Sequence, residues 1–215
     1  QASIEIGKPK GDYITVEVPN LTDDFHNMEG RLRLVAQEIK SLIPEEGLVL
    51  VIGIGNSEIT PDALGPKTAG VVLATRHITP DLARSMNLTN LRSVAVLSPG
   101  VLGQTGIETG EFILGVIKKI EPKVVIVIDA LASQETKRLG STIQISNTGI
   151  CPGSGIGNAR PQINEETMCV PVISLGVPTV VDAATLAADL LQLSDDEQLK
   201  NLKDNAFAGK SRFNS

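Results

Sequence analysis

VIGIGNSEITPDALGPKTAGVVLATRH, residues 51–77, decides how this chain folds. An apolar strand (48–54) runs into a turn carrying Gly53 and Gly55, then into a loop bearing Asp62. An amphipathic helical stripe over 65–75 follows. Further along, KVVIVIDALA (123–132) is a second buried strand, 124–128, ending on Asp129. Open parallel sheets place their functional groups just beyond the carboxyl ends of strands. Two aspartates delivered that way face one another across a single crevice, and the chemistry they suggest is that of a carboxylate pair.

The same alternation extends in both directions. Residues 13–18 read as a half-exposed strand. A helix over 26–43 sets Met28, Leu32, Val35, Ala36, Ile39, Leu42 and Ile43 on one face and stops at Pro44. Strand 93–98 precedes a helix over 109–120 with Phe112, Ile113, Val116, Ile117 and Ile120 on its apolar side. Strands follow at 142–146 and 170–175, then a helix over 182–193. Ser194 and Glu197 form a capping box for one more short helix, and 205–215 reads as a frayed tail. Strands separated by helices imply an α/β fold, a doubly wound, mostly parallel sheet with helices on both faces. No internal repeat or low-complexity linker divides the chain, so 1–215 is expected to be a single domain.

With 215 residues and 41% hydrophobic content, one domain can bury roughly 70% of its unfolded surface. A net charge of −6 argues against a nucleic-acid-binding surface and suits a basic partner better. Cys151 and Cys169 are too few and too far apart for a disulfide framework, which favours reduced thiols in the cytoplasm. No apolar run approaches the ~18 residues of a membrane span, and the start at Gln1 reads as a trimmed end without a signal peptide.

Gly53 and Gly55 invite a dinucleotide reading, but the third glycine of that fingerprint is replaced by Glu58, an anion where a pyrophosphate would sit. No Gly-Lys-Ser/Thr triplet follows either. The second cluster, CPGSGIGN, holds Gly153, Gly155 and Gly157 without a strand-turn-helix frame. Both clusters read as tight turns needing positive φ, and in the second, exposed amides are available to line a substrate groove. Asp62 is either a functional carboxylate or a helix N-cap, and Asp182 faces the same choice. Asp129, against a buried strand, is costly unless paired or used. Glu108 either holds the rim of the cleft or starts a helix. Lys67 pairs with a carboxylate or is solvated, and His77 near a helix end suits the dipole. Asn56, Lys67, Glu108, Gly153, Gly155 and Asp182 are the candidate cleft residues around Asp62 and Asp129.

Segments 55–77, 98–133, 141–160 and 170–183 together resemble the germination proteases of spore-forming bacteria, with TPDALGPK (60–67) and the PGSG-GN pattern (152–158) the most specific parts. The resemblance spans most of 47–184. It implies an endopeptidase that begins the degradation of small acid-soluble spore proteins during germination, working in the spore core, cytoplasmic and without a cofactor. It also implies a zymogen that loses an N-terminal prosegment, here absent, and a homotetramer. The family's proteins are longer, so the carboxyl-terminal region is expected to be shortened. Its two proposed catalytic aspartates fall on Asp62 and Asp129.

GIGNSEITPDALG (53–65) also resembles the turn of hydrogenase maturation proteases, in which two acidic residues and a later histidine bind nickel. That resemblance keeps a metal-dependent maturation-type endopeptidase as an alternative, beside an inactive truncated relative that only binds spore proteins. The chain's two histidines, His26 and His77, do not follow the strand carrying Asp129. The expected chemistry is attack by water on a peptide carbonyl, with one proton shared between two carboxylates. Cys151 has no neighbouring histidine, and no Gly-x-Ser-x-Gly elbow is present.

Overall fold

The computed structural model describes residues 9–18, 29–88, 91–154 and 160–190. Its centre is β2 (Val49–Gly53), buried along its whole length. Val49 and Val51 pack into one apolar cluster and Leu50 and Ile52 into another, one on each side of the sheet. A strand covered on both faces must be continuously apolar rather than alternating, which is why VLVIG carries no polar residue.

Six strands form one sheet in the order β1-β5-β6-β4-β2-β3. β3 (Val94–Leu97), β2, β4 (Val124–Ser133) and β6 (Val172–Val181) run parallel. β5 (Thr142–Ser146) pairs antiparallel with β6, and β1 (Tyr13–Glu17) antiparallel with β5, so β5 alone runs against the other strands. On one face, Val35 of α1 (Glu29–Leu42) joins Val51, Ile128 and Ile173, with Leu64 of α2 (Leu64–Val71) packed beside them. On the other, Ile113 and Ile117 of α5 (Thr109–Ile120) and Met168 of α6 (Glu165–Met168) cover Ile52, Val125 and Val127. The helices therefore lie on both faces, as the sequence predicts. Two short helices, α3 (Pro80–Ser85) and α4 (Leu102–Thr105), flank β3, and α7 (Ala183–Leu190) follows β6. No helix of the described residues is long and apolar enough to cross a membrane.

Two strands outrun their sequence-based limits. β4 was expected to stop before Asp129 and β6 at Leu175; instead they pair together as far as Ser133 and Val181. Gly176 and Pro178, ordinarily strand breakers, are held because β4 supplies the partner, with the register shifting after Leu131. Asp129 thus lies within a strand. It still lies beyond a strand end, because β2 stops at Gly53, opposite Ile128. The chain leaves β2 for β3 on one side and returns to β4 on the other, so this end of the β2–β4 pair is the topological switch point. The predicted helix at 194–197, the tail 205–215 and His26 lie outside the described residues.

Candidate active site

The first residue of β4 past the end of β2 is Asp129, and only 6% of it is exposed. Its register partner is Gly176, where an added Cβ would sit 2.6 Å from the Leu131 side chain. Asp129 Oδ1 accepts a hydrogen bond from the Ala130 N–H at 2.8 Å. Burial pushes the carboxyl up from its ordinary 3.8 to about 7. The Ala130 N–H works against that shift, and the nearby charge of Asp62 adds to it. Near neutral pH this carboxyl is both acid and base, which is what proton transfer at that pH requires.

The loop leaving β2 delivers Asp62. Its Oδ2 accepts from the Asn56 N–H at 2.6 Å, and its own N–H donates to Ile59 O at 2.8 Å. Pro61 O accepts from Thr179 Oγ1 at 2.6 Å, fastening the loop to β6. Gly55 has φ +122, and a Cβ there would lie 2.1 Å from Asp62 O, so only glycine closes this loop. Asp62 is not the N-cap of α2: that position is Ala63, and no side chain caps it. The carboxylate instead ties the loop to itself. Gly53, expected to need positive φ, has a different task. A Cβ on Gly53 would meet Gly65 O at 2.1 Å, so the glycine lets α2 lie directly on the strand end.

Asp62, Asp129, Glu108 and Gly153 line one crevice of about 850 Å³. Asn56 is not part of the lining: its Oδ1 accepts from Gln104 Nε2 at 2.8 Å and from the Glu58 N–H at 3.0 Å, joining the Asp62 loop to α4. Glu108 immediately precedes α5 without capping it, and its carboxylate reaches Arg160 Nη1 at 3.2 Å. Among the described residues Arg160 is the cation of the lining; it is absent from the sequence-based candidates, because its partner lies 52 residues away. Its N–H donates to Pro152 O at 2.9 Å, and Cys151 Sγ donates to Arg160 O at 3.2 Å, closing the neck of the glycine-rich loop. Gly153, at φ +71, does occupy the left-handed region. Gly155 lies outside the described residues.

Two candidates lie elsewhere. Lys67 is exposed on α2 and does not line the crevice. Asp182 is exposed before α7, where it accepts from Thr185 N at 2.9 Å and from Thr185 Oγ1 at 2.6 Å, the helix-cap alternative of the sequence reading. Among the described residues no three His, Cys, Asp or Glu side chains gather as a metal-ligand set. His77 is exposed and outside the lining, and His26 lies outside the described residues.

Residues 1–210 match the family model described as germination protease. A germination protease of Clostridium perfringens is 49% identical over 97% of this chain and 64% of its own length. One from Caldanaerobacter subterraneus subsp. tengcongensis is 50% identical over 87% of the chain and 58% of its own length. The chain therefore spans less than two thirds of these relatives. Among solved structures, the [NiFe] hydrogenase maturation protease HycI of Thermococcus kodakarensis aligns with a TM-score of 0.43 at 17% identity, over 72% of this chain and 96% of that one.

Proposed function

We propose that this chain, which belongs to the germination protease family, is the peptidase core that starts degradation of small acid-soluble spore proteins during germination, using Asp62 and Asp129 as a catalytic pair. The observation that carries the proposal is the buried Asp129 carboxyl, raised to about 7 and electrostatically coupled to Asp62 across one crevice. Water held between the two is deprotonated by Asp62 and attacks the peptide carbonyl carbon. Asp129 gives its proton to the carbonyl oxygen, and the tetrahedral adduct then collapses as a proton passes to the leaving nitrogen. Neither cysteine enters the reaction. The substrate, the spore core as the place of action, zymogen activation and the homotetramer rest on the family resemblance.

Asp62→Asn and Asp129→Asn in the full-length protein, assayed on an isolated small acid-soluble spore protein, each lower the rate at least about 100-fold. Cys151→Ser and Cys169→Ser retain it, and exhaustive chelation leaves wild-type turnover intact. Wild-type rates in either aspartate variant sink the pair. Loss on chelation with restoration by one divalent ion replaces it with metal-dependent hydrolysis.

A further inference from the structure

β4 outlasts β2, and the difference leaves an edge of the sheet open inside the crevice. Ile54 N donates to Ile128 O at 2.8 Å, so the Ile128 carbonyl faces the β2 side. Backbone groups alternate between the two edges of a strand. Ala130 and Ala132 therefore face that same side, where β2 has already ended. The Ala130 N–H is taken by Asp129 Oδ1 at 2.8 Å. Outside the ladder with β6, no hydrogen bond among the described residues reaches the Ala130 carbonyl or either backbone group of Ala132. The opposite edge is paired with β6 as far as Ser133. Ala130, Leu131 and Ala132 line the crevice beside Asp129 and are only half-buried.

An unpaired row of N–H and C=O groups is a template for strand addition. We propose that this edge of β4, from Ala130 to Ala132, is the docking site for the substrate backbone, which adds as an extended strand in the place β2 vacates and so brings a peptide bond to Asp129. The inference rests on the Asp62–Asp129 reading and adds how that pair meets its substrate. The occupant is an unstructured polypeptide segment. The free edge covers only about 10 Å at ~3.3 Å per residue, and a folded protein has no free extended stretch to offer it. Alternate side chains of an added strand point to opposite faces, so recognition by side chains falls on every second residue, and the residues between are read only through their backbone.

The test is a series of peptides spanning a cleavage site mapped with the full-length protein, each N-methylated at a single backbone nitrogen. kcat/KM falls about tenfold at alternate nitrogens across the docked stretch and little at those between. Ala132→Pro, which deletes one edge donor, raises KM several-fold. In the Asp62→Asn protein, the same unmodified peptide slows hydrogen exchange at the Ala132 N–H. Losses without a two-residue period, together with unchanged exchange at Ala132, overturn the edge. Inactive aspartate variants with no such period leave the catalytic pair standing and remove the edge alone. Active aspartate variants with a clear period do the reverse.

Discussion

Asp129 costs the fold free energy wherever it is charged, since a carboxylate in an apolar site loses its water without full replacement. A sequence displays that cost directly, as an acid closing VVIVID, and Asp129 was legible for that reason. Asp62 was not, because a carboxylate ahead of a helical stripe fits a cap as well as a site. The structure excludes the cap: Ala63 holds that position, and the Asp62 carboxylate accepts from the Asn56 N–H instead. Two consequences belong to this scale. If Asp129 is the proton donor, kcat/KM falls about tenfold per pH unit as pH climbs above 7, with an apparent pKa that belongs to the pair. A rate that instead grows from pH 7 to 9 makes Asp129 the base and reverses the roles. Asp62→Ala and Asp129→Ala combine without multiplying, because either alone disables the unit. Multiplicative losses in the double variant mean independent action.

At the scale of elements, the site depends on how closely α2 sits on the ends of β2 and β4. A Cβ on Gly65 would lie 2.1 Å from Ile54 O and 2.5 Å from Ile128 O, both backbone atoms that cannot turn away. Gly65→Ala is expected to destabilise by about 1–3 kcal/mol, as overpacking does. It should also lower kcat/KM, since the displaced helix carries the Asp62 loop with it. Calorimetry and kinetics on one preparation check this, and an unchanged melting temperature refutes the contact. The long elements were legible through their periodicity, with α5 matching its predicted limits of 109–120. α3, α4 and α6, with six, four and four residues, are too short to show a helical period. The extensions of β4 and β6 were hidden because each strand exists only through its neighbour. ALAS and GVPTVV do not announce strands by themselves.

For the whole molecule, burial of Asp129 has a thermodynamic signature. Folded, it titrates near 7; unfolded, near 3.8. Between these values the folded chain holds the additional proton, so stability is highest below about pH 4 with respect to this group and falls as pH rises towards 7. The swing is about 4 kcal/mol at most. Asp129→Asn should flatten that slope in denaturant titrations and be more stable than wild type at pH 8, trading activity for stability. An identical slope in the variant would mean that the carboxyl is not desolvated. The sequence by itself determined the α/β class, the helices on both faces, the end of β2 and the buried aspartate at 129, because apolar periodicity and the cost of burying a charge are properties of local sequence. Only the tertiary structure decided that β5 runs against the other strands, that Asn56 and Arg160 hold the crevice in shape, and that β4 passes β2 to leave an edge open. Each of these depends on pairing between residues far apart in the chain, and neither residue of such a pair carries in its own neighbourhood any sign of its partner.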